Sequence, residues 1–387
     1  MPSLRVLFVI TSLGRGGAEK QLHLLLKYLD RERFAPSVAS LSPGGVWADR
    51  IRELGVPVTE LPRRHGVELS RLRALHRLVR TGAPHVLQTF SPFDTAYGFP
   101  AGWVNRVPVL IASRRTEADL YPGLGWAAGR VSRFLSRWAD AIICNSEPPR
   151  LRAPKGLRSR HVVIHNGVEP LRPSRPRADV RRALGLPADA PVVGSVGRLV
   201  AAKDYPLMLR VAIEVLRTHP ETTFLLVGGG PLETELRSRI HRLGLARRVW
   251  LTGERADVAD IMSALDVFLL TSSREGTPNS VMEAMTLGLP CVVTSAGGTA
   301  ELVAHGETGY VCPVGGRDEL VASVRLLLDD AKARARLGEN GRARMASAFA
   351  PERMAAATEA LYHRLLAGKR APLPSTATEA VGRSLSP

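Results

Sequence analysis

The chain alternates short apolar runs with longer segments in which apolar residues recur every three or four positions. In the first half the apolar runs are LRVLFVI (4–10), SVASL (37–41), HVLQTF (85–90), PVLIAS (108–113) and AIICNS (141–146). Runs of this kind predict buried strands, and the segments between them predict amphipathic helices. Regular alternation of the two is typical of a parallel sheet covered by helices.

A second series of apolar runs follows a stretch rich in proline and arginine, EPLRPSRPRA. The runs are PVVGSVG (191–197), TFLLVGG (223–229), RVWLTG (248–253), VFLLTS (267–272), PCVVTS (290–295) and GYVCPV (309–314). We therefore predict two doubly wound, Rossmann-like α/β domains at 1–168 and 190–350, joined by a linker at 169–189. Ligands of such sheets bind beyond the carboxyl ends of the strands, so the expected site is the cleft between the domains.

Bulk composition agrees with a cytoplasmic protein of this size. The chain has 387 residues and 45% hydrophobic content, enough for two packed cores. No apolar run approaches the roughly 20 residues that cross a bilayer, and the N-terminus lacks a secretory pattern. The three widely spaced cysteines argue against a disulfide scaffold or a zinc site. Residues 351–368 have a helical pattern, and 369–387 have the composition of a disordered tail.

Positive charge is concentrated in the first half of the chain. Residues 1–182 hold 30 Lys or Arg against 14 Asp or Glu, a net +16 out of the total of +17. This asymmetry predicts an anionic partner, either lipid headgroups or an acidic or phosphorylated acceptor, with a solvated face as the alternative. Nucleic acid is disfavoured because aromatic residues are few and not interleaved with the basic ones.

Two arginine-rich segments suggest where such a partner would bind. SRRTEADL (113–120) and RVSRFLSRWAD (130–140) place arginine beside leucine, phenylalanine and tryptophan. We expect peripheral contact of the first domain with an anionic membrane. The alternative is an ordinary amphipathic helix that packs on the sheet with its arginines in water.

Two carboxylates frame the stretch SREGTPNSVMEAM, residues 273–285. Glu275 follows a predicted strand, and Glu283 is predicted in the first turn of a helix that begins near Val281, with Asn279 or Ser280 as its cap. Carboxylates there accept hydrogen bonds from vicinal hydroxyls, while free N–H groups at the helix start favour a negative ligand. The alternative is that both acids only complement the helix dipole.

One further turn follows the first strand of each domain. In VGSVGRLVAAKDYP (193–206), Arg198 and Lys203 pair a fork-shaped donor with a point charge, which suits a diphosphate; the alternative is a solvated basic loop. In TSLGRGGAEKQL, Gly16 and Gly17 allow backbone N–H groups to approach an anion. The third glycine of the dinucleotide fingerprint is missing, so a nicotinamide cofactor is disfavoured.

Together these residues resemble the donor domain of the family 4 retaining glycosyltransferases, which have the two-domain GT-B fold. The resemblance rests on Arg198, Lys203, Glu275, Glu283 and the run SREGTPNSVMEAMTLGLPCVVTSAGGTAELV. It is extended by the turn at 14–19 and by ICNSE (143–147), IHNGVE (164–169), VGGGP (227–231) and HGETGYVCPV (305–314).

The resemblance implies a role for each matching residue. Glu283 would bind the ribose hydroxyls of a nucleotide-diphosphate sugar, while Arg198 and Lys203 would hold the diphosphate and stabilise it as it leaves. The donor sugar would be held by Glu275 and by the backbone N–H groups of Gly276, Thr277, Asn279 and Ser280. Gly16 and Gly17 would approach the diphosphate from the other domain. The helix at 351–368 would cross back onto the first domain.

The family's chemistry supplies the remaining expectations. Anomeric configuration would be retained through front-face attack, and no metal or other cofactor is expected, since no Asp-x-Asp motif occurs. Many relatives carry a histidine near the fourth strand of the first domain that contacts the sugar. Here LQTFSPFDTAYG (87–98) has none, and Asp94 is the one ionisable residue that could serve the acceptor or sugar side.

The leading hypothesis is therefore transfer of a sugar to a cell-envelope, lipid-linked or exopolysaccharide acceptor at the cytoplasmic face of the membrane. One alternative is a sugar-nucleotide epimerase of the same fold, which would act without an acceptor. The other is a non-enzymatic module that binds a nucleotide sugar or anionic lipid. The sequence identifies neither the base, the sugar nor the linkage.

Overall fold

The two series of apolar runs form two separate parallel sheets in the computed structural model, which describes residues 3–61, 69–115 and 124–370. The strands of the first sheet are β1 Leu4–Ile10, β2 Phe34–Ser40, β3 Val58–Glu60, β4 Val86–Thr89, β5 Val109–Arg114, β6 Ala141–Cys144 and β7 His161–Val163. Those of the second are β8 Val192–Val196, β9 Thr223–Val227, β10 Val249–Leu251, β11 Val267–Leu270, β12 Cys291–Thr294 and β13 Gly309–Cys312.

Helices connect successive strands in both domains. In the first domain they are α1 Gly17–Tyr28, α2 Val46–Glu53, α3 Leu69–Gly82, α4 Pro92–Val104, α5 Leu124–Leu135 and α6 Glu147–Leu151. From there to the end of the second domain they are α7 Arg177–Leu184, α8 Tyr205–Leu216, α9 Glu233–Arg242, α10 Val258–Ser263, α11 Asn279–Thr286, α12 Thr299–Leu302, α13 Arg317–Asp329 and α14 Ala331–Ala348. The last helix is α15 Pro351–Arg370.

The strand order is the same in both sheets apart from one extra edge strand. It is β3-β2-β1-β4-β5-β6-β7 in the first and β10-β9-β8-β11-β12-β13 in the second, with parallel pairing throughout. The direction of winding therefore reverses between β1 and β4 and again between β8 and β11. The predicted fold of two doubly wound domains is confirmed, and each reversal opens a crevice at the carboxyl ends of the strands.

Strand β1 shows why the core strands lack polar alternation. Val6, Phe8 and Ile10 point into a cluster that includes side chains of α1 and α15. Leu7 and Val9 point the other way, into a cluster with side chains of α3 and α4. Because helices cover both faces, all five positions from Val6 to Ile10 are buried and apolar, whereas Arg5 near the start of the strand is exposed.

The structure corrects the predicted boundaries in several places. Strands β3 and β7 were not predicted, because their three residues, VTE and HVV, include only one and two apolar side chains, whereas the equally short edge strand β10 is VWL. The predicted linker at 169–189 contains α7, which begins after Pro176 and buries Val180. The predicted helix at 351–368 extends to Arg370, so residues 369 and 370 of the predicted tail are helical.

Other predictions reach beyond the described ranges. The remainder of the predicted tail, 371–387, and residues 116–120 of the segment SRRTEADL lie outside the described residues. Within the described ranges, no helix combines the length and the apolar character needed to span a bilayer.

Helix α15 crosses from the second domain and packs on the first, as the resemblance implied. Met354, Leu361 and Tyr362 are buried in the same cluster as β1 and α1. The Tyr362 hydroxyl donates a hydrogen bond of 2.5 Å to Oε1 of Gln88 in β4, and both side chains are fully buried. The C-terminal helix is therefore part of the first domain's core, although it follows the second domain in sequence.

We predict that Tyr362→Phe destabilises the first domain. The substitution keeps the ring and leaves the buried Gln88 oxygen without its donor, which costs about 1–3 kcal/mol. Thermal unfolding should show a lower midpoint, by roughly 2–4 °C for each kcal/mol in a domain of this size. Tyr310→Phe, at a partly exposed tyrosine of β13, is the matched control and should leave the midpoint unchanged. Equal midpoints for the two variants would contradict the prediction.

Candidate active site

A partly buried ion pair lies at the reversal point of the second sheet. Lys203 follows β8, Glu275 follows β11, and Nζ of the lysine is 2.6 Å from Oε1 of the glutamate. The Ser272 hydroxyl donates to the same oxygen at 2.6 Å. The two charged side chains are only 17% and 11% exposed. Arg198, on the loop that leads to Lys203, is exposed at the mouth of the cleft.

Helix α11 begins at the same reversal point, two residues earlier than predicted. It starts at Asn279, and Pro278 occupies the cap position, so neither Asn279 nor Ser280 is the N-cap. Glu283 is the fifth helical residue and therefore lies in the second turn rather than the first. The backbone N–H groups of Asn279 and Ser280 have no partner inside the helix and point out of its N-terminus.

The loop before α11 packs directly against the first domain. A Cβ atom on Gly276 would lie 1.9 Å from the carbonyl oxygen of Arg115, so only glycine fits there. The hydroxyl of Thr277 donates to the carbonyl oxygen of Asn145 at 2.7 Å. The predicted sugar-binding loop is thus held from both sides, by its own strand and by the carboxyl ends of β5 and β6.

Asn279 joins the two domains through its side chain. Its Nδ2 donates to the carbonyl oxygen of Gly17 at 3.2 Å. Its Oδ1 accepts from Gln21 at 3.2 Å and from Asn166 at 3.1 Å. Sequence reasoning gave Asn279 a backbone role and a candidate role as helix cap, whereas its side-chain amide holds the glycine turn against α11.

The glycine turn of the first domain has the predicted position. Gly16 is the N-cap of α1 and Gly17 is its first residue. Glu19 lies in the first turn of the helix, and Ser12 donates to its Oε1 at 3.2 Å. Burial raises the pKa of Glu19, while the hydrogen bonds and the positive charge of Arg198 act in the opposite direction.

Lys20 makes a contact that sequence reasoning missed. Its Nζ is 2.5 Å from Oε1 of Glu283, across the cleft, and the two side chains are 25% and 14% exposed. A second pair across the cleft joins Arg15 to Glu254 at 3.1 Å, with both side chains more than half exposed. Arg15 and Lys20 lie in the glycine turn or just after it. Their position beside Gly16 and Gly17 was the one sequence feature that could have indicated these contacts across the cleft.

Asp94 is buried at the reversal point of the first sheet. It is fully buried, accepts hydrogen bonds from the Thr11 hydroxyl and from the Phe90 N–H, and its own N–H donates to Ser91. Burial raises the pKa of Asp94 to about 7, although these hydrogen bonds lower it. The carboxyl has no exposed surface, so direct contact with an acceptor or sugar would require these bonds to break.

Two asparagines that sequence reasoning left without a role face the same loop. Asn145 and Asn166 belong to the quoted motifs ICNSE and IHNGVE, at the carboxyl ends of β6 and β7. Asn145 donates to the Arg115 carbonyl at 3.2 Å, and Arg115 in turn donates to Oδ1 of Asn166 at 3.2 Å. These residues form a polar network that supports the loop at Gly276.

The arrangement is suited to a large anionic ligand. Lysine has three N–H donors, and Lys203 uses one of them on Glu275, so two remain for phosphate oxygens. The Arg198 guanidinium and the free N–H groups of α11 add further donors on the same side. No group of three or more potential metal-ligating side chains converges within 3–61, 69–115 and 124–370.

Comparison with known families agrees with this geometry. Residues 15–172 match the family model described as Glycosyltransferase Family 4, and residues 176–344 match the model described as Glycosyl transferases group 1. The first match covers β2 to β7 of the first sheet, and the second covers all six strands of the second sheet.

Similar proteins include enzymes of lipopolysaccharide synthesis. The chain is 32% identical to the lipopolysaccharide core biosynthesis mannosyltransferase LpsB of Rhizobium meliloti over 260 residues, 65% of this chain and 72% of that protein. It is 29% identical to the glycosyltransferase LpsE of the same organism over 361 residues, 92% and 96% of the two chains.

A solved structure has the same architecture. Anabaena HepE in complex with UDP-glucose superposes with a TM-score of 0.80 at 25% identity and covers 93% of this chain and 100% of its own. Sucrose-phosphate synthase from Thermosynechococcus elongatus shares the fold, with a TM-score of 0.74 at 20% identity. The fold, the family models and the identity to LpsB agree, and the chain belongs to the family 4 glycosyltransferases with the GT-B fold.

Proposed function

We propose that this glycosyltransferase transfers a sugar from a nucleoside diphosphate to a cell-envelope, lipid-linked or exopolysaccharide acceptor, with retention of configuration and without a metal ion. The observation that carries the proposal is the partly buried Lys203–Glu275 pair at the reversal point of the second sheet, 2.6 Å apart. A cation fixed beside a carboxylate there serves both halves of the donor, the diphosphate and the sugar.

Each charged residue has a role in donor binding. Lys203 and Arg198 bind the diphosphate, and Glu275 with the N–H groups of Gly276 and Thr277 orients the sugar. Glu283 accepts hydrogen bonds from the ribose hydroxyls. Because Lys20 holds Glu283 at 2.5 Å, the ribose and this lysine compete for, or share, the same carboxylate.

The reaction breaks the bond between C1 of the sugar and the diphosphate oxygen, and the acceptor oxygen bonds to C1 on the same face. The acceptor proton passes to an oxygen of the departing phosphate. The negative charge that builds on this phosphate is stabilised by Lys203 and Arg198, which perform the task that a metal ion performs in other transferases. Retention follows from attack on the face that the phosphate leaves.

The nucleotide and acceptor classes are supported by the similar proteins. HepE binds UDP-glucose, which favours a uridine nucleotide as the first donor to test. LpsB and LpsE are named for lipopolysaccharide core synthesis, which favours an acceptor of the cell envelope.

We predict that UDP stabilises the protein through Glu283. A ligand at 100 times its dissociation constant adds about 2.7 kcal/mol to the free energy of unfolding. UDP should raise the thermal midpoint of the wild type, and Glu283→Gln should remove most of that rise because the amide is a weaker acceptor for the ribose. GDP, ADP and CDP, measured in parallel, report base preference.

Glu339→Gln is the matched control for Glu283→Gln. Glu339 lies in α14, and its side chain is 67% exposed. This variant should keep the full response to UDP. The midpoint without nucleotide measures the loss of the Lys20 ion pair separately. An unchanged UDP response in Glu283→Gln would remove the proposed ribose contact.

We predict that Lys203→Gln slows sugar transfer. Loss of one group that stabilises developing charge lowers kcat by about 10²–10³. The control Lys332→Gln, at an exposed lysine of α14, should retain full activity. EDTA should not change the wild-type rate. A rate that EDTA abolishes and Mg²⁺ restores would overturn metal independence, while a Lys203→Gln rate equal to that of the wild type would overturn the role of the lysine.

We predict that the product has the anomeric configuration of the donor. Proton NMR of the isolated product distinguishes retention from inversion through the coupling constant at C1. An inverted product would contradict front-face attack. Conversion of the donor to an isomeric nucleotide sugar without an acceptor would identify an epimerase. Nucleotide binding without any product would favour the non-enzymatic binding module.

A further inference from the structure

Exposed aromatic side chains form one cluster on the first domain, the aromatic surface. It consists of Trp103 and Val104 at the end of α4 and of Phe134 and Trp138 at and just after the end of α5. Trp103 and Val104 are 69% and 67% exposed, and Phe134 and Trp138 are 55% and 47% exposed. The ring of Trp138 lies 6.2 Å from Trp103 and 4.7 Å from Phe134, measured between centroids.

This concentration of apolar side chains is unusual for a surface that only faces water. Eleven large hydrophobic side chains are exposed within the described ranges, and five of them are the aromatic surface and Val131. These five include every Trp and Phe of that exposed set. Single exposed hydrophobic residues need no explanation, but a cluster of them marks an interaction site.

Arginines surround the aromatic surface. Arg130, Arg133 and Arg137 line an open depression of about 400 Å³ together with Phe134. The Arg137 guanidinium lies 5.9 Å from the centre of the Phe134 ring. The acid that follows in sequence, Asp140, is paired with Lys369 of α15 at 2.7 Å. The surroundings of the aromatic surface therefore carry a net positive charge.

We propose that the aromatic surface docks this protein on an anionic lipid bilayer. Tryptophan and phenylalanine insert at the boundary between headgroups and acyl chains, while arginine pairs with lipid phosphates. Each basic residue near an anionic surface contributes to the attraction. A second copy fits less well, because a twofold contact through this surface would bring the same arginines together.

The aromatic surface lies away from the catalytic cleft. Trp103 precedes β5 and Trp138 precedes β6, so both tryptophans are near the amino ends of these strands. The glycine turn, the loop at Gly276 and the ion pairs are all at the carboxyl ends. A nucleotide can therefore still reach the cleft when the aromatic surface is docked on a membrane. The inference does not depend on the proposed donor and acceptor.

Vesicle binding by the full chain tests the proposal. The protein is sedimented with vesicles of phosphatidylcholine alone or mixed with phosphatidylglycerol. The wild type should bind the mixed vesicles, and the double variant Trp103→Ser, Phe134→Ser should bind them at least about tenfold more weakly, because two exposed apolar side chains are lost. Arg133→Gln, Arg137→Gln should weaken binding to the mixed vesicles and reduce its dependence on salt.

Matched variants of the second domain are the controls. Leu243→Ser, at a leucine that is 43% exposed, and Arg242→Gln, Arg247→Gln, at exposed arginines, should bind vesicles like the wild type. Thermal midpoints and the response to UDP should be unchanged in all of these variants, which separates docking from folding and from donor binding.

Two outcomes would overturn the proposal. One is equal binding of mixed vesicles by the wild type and by Trp103→Ser, Phe134→Ser. The other is a wild-type protein that binds neither type of vesicle. If that wild type forms dimers in sedimentation equilibrium and the aromatic double variant does not, the occupant is a second copy of this chain.

Discussion

The reversal of strand order beside β1 and β8 is the constraint on which the site depends. Parallel strands place their carboxyl ends at one edge, and only at the reversal do the following loops separate and leave a crevice. The second sheet fills this crevice with Lys203 and Glu275, and the first with the glycine turn and the loop of Asp94. Both crevices face the same cleft, so the sequence needs few special residues to build a site from two ordinary sheets.

Charges in the cleft are paired within the protein itself. Lys203 is paired with Glu275, and Lys20 with Glu283, all four with little exposure. Partly buried charges without partners would be costly, so each pair stabilises the contact in which it lies. In the proposed donor complex, the diphosphate interacts with the same cations. Tight packing of Gly276 on the Arg115 carbonyl fixes the loop beside these ion pairs.

Hydrophobic patterning predicted the two sheets, because strands covered on both faces leave an uninterrupted apolar run. It did not predict β3 or β7, whose residues VTE and HVV are not apolar throughout, although it did predict the equally short edge strand β10, VWL. Helix α7 was not predicted, because it lies in the proline-rich stretch 169–189 that was interpreted as a linker. The resemblance implied a donor site between the two domains, but the bond from Asn279 to Gly17 and the pair formed by Lys20 join segments about 260 positions apart. Nothing local in the sequence encodes such contacts.

The basic first half illustrates a limit of net charge as a guide to function. Several of its arginines cap backbone carbonyl groups: Arg5 donates to Gly82 and Ala83, Arg71 to Leu61, and Arg158 to Leu151. Those arginines serve the fold. An anionic partner instead binds arginines whose guanidinium groups are exposed to solvent beside apolar side chains. The aromatic surface has this combination in Arg133, Arg137 and Phe134. An excess of positive charge therefore indicates an anionic partner only once the structure shows which arginines bind backbone carbonyl groups and which are exposed and able to bind a ligand.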